Sequence, residues 1–201
     1  MNELYKQGKF KRFGLSNYRP EEVEEVVKVC KENGFVVPTV FQGNYSPVAR
    51  RQDSELFPVL RKHGIAFYAY SPLAGGFLTK TKEDIESKSK GRFTDSGAGP
   101  IYMALYNKPK YLEALTTWND IATKHDIGKA ELAYRWVAYN SPLSNKYGDA
   151  IIVGASRIEQ LKESLAWFKK GPLPESAVKG IDQVWESIKD EAGLDNFNQN
   201  N

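Results

Sequence analysis

The sequence predicts an α/β protein with parallel strands covered by helices, and three observations carry that expectation. Short apolar runs rich in β-branched or aromatic residues alternate along the chain with segments of helical periodicity. The runs are nearly continuous in apolar residues, as in strands of a parallel sheet. The chain has 201 residues, 41% hydrophobic and 26% charged, enough for one core but below the usual length of a complete eight-unit barrel. Periodicity alone leaves a doubly wound sheet and part of a (β/α)8 barrel both open.

In chain order, Glu3-Leu4-Tyr5-Lys6-Gln7-Gly8-Lys9 reads as a helix end with a glycine stop, so the chain is expected to begin inside an element. Strands are expected over residues 13–15, 38–42, 65–70 and 150–153, each bounded by Gly, Pro, Asn or Asp. Pro20-Glu21-Glu22 opens a helix whose Val23, Val26, Val27 and Cys30 share a face, and Asn33-Gly34 closes it. A second helix covers 54–63 and stops at Gly64. A pair covers 111–124 and 129–139, and two more cover 156–168 and 175–192. The polar, Gly- and Ser-containing stretch between Leu78 and Lys108 reads as a mobile flap. Residues 1–194 form one unit, with 195–201 expected as a disordered tail.

Composition narrows the function classes. The 28 basic and 25 acidic residues give a formal net charge of +3 with no long block of either sign, which argues against a nucleic-acid or membrane arm. Cys30 is the single cysteine, so an internal disulfide and a multi-cysteine metal site are both excluded. Its simplest reading is a small apolar helix residue in a reducing cytosol. No stretch approaches the ~20 apolar residues of a membrane span, and MNELYKQGKFKR lacks the apolar core of a signal peptide. A soluble cytoplasmic protein is expected.

In parallel α/β folds the ligand lies beyond the carboxyl ends of the strands. Those ends are Ser16-Asn17, Gln42-Gly43-Asn44, Tyr70-Ser71-Pro72-Leu73-Ala74-Gly75-Gly76 and Gly154-Ala155-Ser156-Arg157. They supply amides, hydroxyls and backbone donors suited to a polar ligand carrying amides and phosphates, although Ser, Asn and Gln serve equally as turn and cap residues. The glycines of SPLAGG permit backbone N–H groups to approach an anion. Gly154-Ala155-Ser156-Arg157 runs into a helix, placing its N-terminus, a hydroxyl and a guanidinium where a terminal phosphate fits. Ser156 is also a candidate N-cap with Glu159 as its capping-box partner.

Taken together, GKFKRFGLSNY, PTVFQGNYSPVARR, ELFPVLRKHGIAFYAYSPLAGGFLT and DAIIVGASRIEQLKESL resemble successive segments of an aldo-keto reductase, most closely the aflatoxin-aldehyde-reductase branch. The resemblance covers nearly the whole chain in family order. It implies a TIM barrel of which this chain supplies roughly the last four βα units, binding extended NADPH without a Rossmann motif. By position, Ser16, Asn17 and Gln42 would hold the nicotinamide carboxamide, and Tyr70 would stack on the ring. Ser71, Leu73 and Gly75 would line the pyrophosphate. Gly154, Ser156, Arg157, Gln160, Glu163 and Ser164 would surround the adenosine and its 2′-phosphate. Arg92 matches an arginine that meets substrate carboxylates in this branch, against its reading as a solvated loop residue. Two features depart from the branch: Lys80 stands where a glycine is common, and the tail lacks a basic terminal residue.

The family reduces carbonyls with a tyrosine proton donor tuned by a lysine, a histidine and an aspartate. By the resemblance all four lie upstream of Met1, so no catalytic residue is assigned and the isolated chain is expected to be inactive. His63 and His125 sit at helix ends, where the dipole accounts for them. The expected substrate is a small carbonyl compound, and no metal is expected. A chain with exposed strand edges invites pairing with a missing N-terminal half or with a second copy. A binding or assembly module is therefore the alternative class. A doubly wound dehydrogenase should show Gly-x-Gly-x-x-Gly after an early strand, and the sequence has none.

Overall fold

Four short parallel strands, β1 (Gly14–Ser16), β2 (Val40–Asn44), β3 (Ala66–Tyr70) and β4 (Ala150–Ile151), form one sheet in the order β1-β2-β3-β4. The computed structural model describes residues 1–88, 91–95 and 97–198. Ser16 pairs with Gln42, Gln42 with Tyr68, and Tyr68 with Ala150, so these four share a register row. One step on, Asn44 pairs with Tyr70.

The two faces differ. Leu15, Phe41, Phe67 and Ala69 point into the core, where the Phe41 and Phe67 rings stack at 6.0 Å. Gly43 lies on this face because a Cβ there would fall 2.5 Å from Cζ of Phe67. On the other face Ser16 and Tyr68 are half-buried, and Gln42 and Ala150 are exposed.

The helices follow the expected alternation. A short α1 (Asn2–Lys6) precedes β1, and α2 (Pro20–Glu32) begins on Pro20, with the Glu22 carboxylate accepting the Arg19 backbone N–H at 2.7 Å. Val23, Val27 and Cys30 form its buried face, and burial raises the Cys30 thiol pKa. The helix expected over 54–63 is divided into α3 (Gln52–Glu55) and α4 (Phe57–Lys62). Pro58, lacking an N–H, occupies the first turn of the second piece.

The stretch expected to be a mobile flap contains two helices, α5 (Lys82–Glu86) and α6 (Gly99–Tyr106). Thr81 caps α5, exchanging hydrogen bonds with Asp84 at 3.3 and 3.0 Å. Phe93, Tyr102 and Tyr106 are buried in an aromatic cluster with Phe77, whose ring stacks on Tyr106 at 5.2 Å. Aromatic burial outweighs the polar composition that suggested mobility. Residues 89, 90 and 96 of that stretch lie outside the described residues.

Helix α7 (Pro109–Lys124) packs on α10 (Glu175–Ile188). Helix α8 (Lys129–Arg135) passes into a π-helical turn at Trp136–Asn140, and α9 (Ile158–Phe168) follows β4. The expected free tail is tied back as far as Asn198: Leu194 N–H reaches the Asn198 carbonyl at 3.0 Å. Asp195 accepts the N–H groups of Phe197 and Asn198 at 2.7 and 2.8 Å. Residues 199–201 lie outside the described residues.

Candidate functional site

The strands end on backbone that few residues adopt. Asn17 and Ser71 follow β1 and β3 with φ of 60° and 54°, and Ala74, Gly75 and Gly76 follow at 51°, 69° and 101°. Asparagine tolerates this left-handed region and glycine occupies it freely. In the turn after β3, Ala74 N–H bonds to Ser71 O at 2.8 Å and Gly76 N–H to Leu73 O at 2.9 Å. Among the described residues, the N–H groups of Leu73 and Gly75 meet no protein partner, which leaves two donors at the positions assigned to a pyrophosphate.

Beside this turn opens a cavity of about 510 Å³ lined by Gln42, Tyr70, Ser71, Pro72, Leu73, Gly75, Gly76, Arg92, Tyr102, Tyr134, Ile152 and Gly154. Residues expected from three separate strand ends, Gln42, Tyr70, Ser71, Leu73, Gly75 and Gly154, therefore meet in one place with Arg92. A hollow of similar volume, about 510 Å³, lies beside α1. Its lining is mainly apolar, with Phe13, Val26, Val29, Cys30 and Phe35, and its charged side chains, Glu3 and Glu25, would repel a phosphate.

Tyr70 is half-buried, and its hydroxyl lies 3.5 Å from Asn17 Oδ1. Burial, reinforced by the nearby Asp195 carboxylate, raises its pKa, which makes it a poor proton donor near neutral pH and leaves its ring face as the useful surface. Arg92 donates to the Tyr102 hydroxyl at 2.7 Å, with its guanidinium 5.4 Å from that ring. Gly75 permits this, since a Cβ there would sit 2.1 Å from Tyr102 Cε1.

The segment after β4 holds the remaining assigned residues. Gln160 Oε1 accepts both the backbone N–H and the hydroxyl of Ser156, at 3.3 and 3.0 Å. The cap of α9 is Arg157, without a side-chain bond. The Ser156–Glu159 capping box therefore does not form, because Gln160 one residue later takes the serine. Arg157 and Glu163 are exposed. Ser164 is separated from them: it is buried and donates to the Gln160 carbonyl at 2.8 Å, on the inward face of α9. Ser16 ends β1 at one edge of the sheet and Asn17 follows it, reaching the cavity through Tyr70.

Elsewhere, His63, which ends α4, has Nε2 2.8 Å from a carboxylate oxygen of Glu24 in α2, neither of them lining the cavity, and His125 ends α7. Among the described residues no three His, Cys, Asp or Glu side chains cluster as metal ligands, and no helix is long and apolar enough to cross a membrane.

Sequence reasoning missed Tyr102 and Tyr134 in the cavity wall, and also the C-terminal asparagines. Asn196 Nδ2 donates to the Tyr70 hydroxyl at 3.1 Å and Asn198 Nδ2 to the Asn17 carbonyl at 3.4 Å. The available signal was the Asp195-to-Asn198 spacing, which suits a carboxylate-closed turn.

The geometry has a counterpart in comparisons with known proteins. A family profile described as the aldo/keto reductase family matches residues 1–186. The chain is 42% identical over 193 residues to "Oxidoreductase sirO" of Leptosphaeria maculans, covering 96% of this chain and 58% of that protein. It is 39% identical over 201 residues to "Aflatoxin B1 aldehyde reductase member 2" of Mus musculus, covering 94% and 54% respectively. To "Aflatoxin B1 aldehyde reductase member 4" of Homo sapiens it is 41% identical over 192 residues, covering 92% and 58%. The chain thus spans 54–58% of the length of these three relatives. It belongs to the aldo/keto reductase family, and its four parallel strands are part of that family's TIM barrel.

Proposed function

We propose that this chain provides the cofactor-binding strand ends of a cytoplasmic NADPH-dependent reductase that converts aldehydes or ketones to alcohols. The carrying observation is the convergence of Gln42, Tyr70, Ser71, Leu73, Gly75 and Gly154 on one cavity. The residues present fit the cofactor. The Gln42 amide is exposed and the Tyr70 ring half-buried, two N–H donors stand in the turn after β3, and the Arg157 guanidinium lies open beyond β4.

A bound reduced nicotinamide supplies hydride. Ser16, Asn17 and Gln42 would hold its carboxamide and Tyr70 would support the ring. Ser71, Leu73 and Gly75 would bind pyrophosphate. Gly154, Ser156, Arg157, Gln160 and Glu163 would flank the adenosine phosphate, with Ser164 holding the helix from within. Arg92, beside Tyr102, would meet a polar or carboxylated end of the carbonyl substrate. Of the cavity tyrosines, Tyr70 and Tyr134 are weakened acids, burial raising the pKa of both, and among the described residues Tyr102 has no lysine or histidine beside it in the cavity lining. Proton delivery is therefore assigned to residues outside this chain.

Aldehyde-dependent oxidation of NADPH tests this reading. The 201-residue chain alone should show none, and co-expression with the first half of an aldehyde-reductase relative should produce turnover. Robust turnover by the chain alone contradicts the external proton donor, and no turnover by the pair contradicts the reductase.

A second reading, assembly with another polypeptide, is favoured by the apolar surface at the sheet edges. Ile158 is 68% exposed and Leu165 50%, beside an exposed Ile152, while Val29 and Phe35 are exposed at the opposite edge. Pairing with a second copy or with the remaining barrel units would cover both. Sedimentation of the purified chain checks it: self-association favours this reading, and a stable compact monomer counts against self-pairing.

A further inference from the structure

We propose that Asn196 is a positioning residue for Tyr70. Together with Asn17 it fixes the phenol, and so orients the ring face on which the nicotinamide is read to stack. The inference rests on the cofactor reading above.

The segment after α10 returns to the strand ends and is anchored there. Gln52, 1% exposed, lies in α3, and its Nε2 donates to the Asn44 carbonyl at 2.6 Å and also to the Leu194 carbonyl. One amide thereby joins the end of β2 to the C-terminal segment. Beyond Leu194 the chain closes into a turn around the buried Asp195 carboxylate, which accepts the Phe197 and Asn198 backbone N–H groups and Asn198 Nδ2 at 2.7, 2.8 and 2.7 Å.

That closed turn presents two amides to the site. Asn196 Nδ2 donates to the Tyr70 hydroxyl at 3.1 Å, and Asn198 Nδ2 donates to the Asn17 carbonyl at 3.4 Å. The hydroxyl of Tyr70 in turn faces Asn17 Oδ1 at 3.5 Å. The phenol oxygen accepts from one side and donates to the other, in the direction Asn196 to Tyr70 to Asn17. Tyr70 is the last residue of β3 and precedes a left-handed Ser71, so the ladder ends beneath it and its ring keeps rotameric freedom unless its tip is held. Holding the tip removes that freedom before a ligand arrives, and preorganisation of this kind strengthens binding by lowering the ordering cost. The adenosine end of the site is held by its own hydrogen bonds, Ser156 donating to Gln160 Oε1 through its backbone N–H and its hydroxyl at 3.3 and 3.0 Å.

The test is a titration of the full chain with NADPH and with 2′,5′-ADP, which carries only the adenosine end. It compares wild type, Asn196→Ala, Tyr70→Phe and the double variant. Asn196→Ala should weaken NADPH about two- to tenfold, the range of one hydrogen bond, and leave 2′,5′-ADP unchanged. Tyr70→Phe should match it, and the double variant should be no worse than either single one. Asn196→Leu, which keeps the size but removes the donor, should behave as Asn196→Ala. Unchanged NADPH affinity, equal weakening of both ligands as from a loosened fold, or additive losses in the double variant each overturn the positioning role. If wild type binds neither ligand, the cofactor reading itself is contradicted and the inference goes with it.

Discussion

Both terminal nitrogens of Arg61 donate to the carboxylate of Asp149, at 2.8 and 2.7 Å. The carboxylate is 1% exposed and also accepts the backbone N–H groups of Phe67 and Ser144 at 2.8 and 2.9 Å. One side chain thus ties α4, the start of β3 and the approach to β4. That strand has two residues and depends on such an anchor to lie beside β3. Arg61→Ala leaves the buried carboxylate without its counter-charge and should lower stability by about 3 kcal/mol, read from the urea midpoint. A loss within about 0.5 kcal/mol, the ordinary range of a surface substitution, would contradict the anchoring role.

The turn after β3 depends on Gly75. Its φ is +69° and a Cβ would lie 2.1 Å from the Tyr102 ring, so Gly75→Ala is strained twice over. The Tyr102 ring must move, taking with it the hydroxyl that Arg92 holds at 2.7 Å. Stability should fall by about 1–3 kcal/mol, and NADPH affinity should fall more steeply than affinity for 2′,5′-ADP. Preserved NADPH binding would show that the cavity beside Tyr102 is not the cofactor's path.

How much of this was legible in sequence depends on the range of the interactions involved. The strands were found because aromatic and β-branched runs such as Phe67-Tyr68-Ala69-Tyr70 stop at turn residues. Strand β2 continues to Asn44, past the expected end at Gln42, because pairing of Gly43 and Asn44 with Ala69 and Tyr70 outweighs their turn preference. The flap misled through its polar composition: Phe93 and Tyr102 are buried against each other, Tyr106 and the neighbouring Phe77, contacts that its polar residues hide. The tail misled because its anchor is distant in sequence, Gln52 reaching Leu194. In the site, the strand-end positions followed from the placement of ligands beyond the carboxyl ends of parallel strands, and their individual roles from the family resemblance. Ser164, four residues beyond Gln160, faces inward by helix phase.

Stability should also depend on pH through Asp53. Burial raises this carboxyl above its ordinary pKa, although the Tyr45 hydroxyl at 2.6 Å and the Arg50 guanidinium favour the ionised form. The native state therefore holds the proton more tightly than the unfolded chain, where the pKa is about 3.9. Its stabilising contribution is complete below that value and is lost as pH rises through the raised native value. Asp53→Asn keeps an acceptor for Tyr45 but does not titrate. Urea midpoints from about pH 3 to about pH 7 should show the variant gaining on wild type as pH rises. A constant difference, or one that shrinks, would contradict the burial argument.

Arg157, exposed beside Ser156 and Gln160 beyond β4, is assigned to the adenosine 2′-phosphate. Arg157→Ala should weaken NADPH about tenfold, in keeping with one charge-assisted contact at an exposed position, and should leave NADH nearly unchanged. Equal weakening of both dinucleotides would place the arginine elsewhere on the ligand.

The most direct test of the account is titration of the purified 201-residue chain with NADPH and with NADH, followed by protein fluorescence. Because the strand ends, the turn donors and the arginine assigned to the 2′-phosphate all lie within this chain, saturable binding at one site, tighter for NADPH than for NADH, is the expected result. A linear, non-saturating response to both would contradict the cofactor cradle.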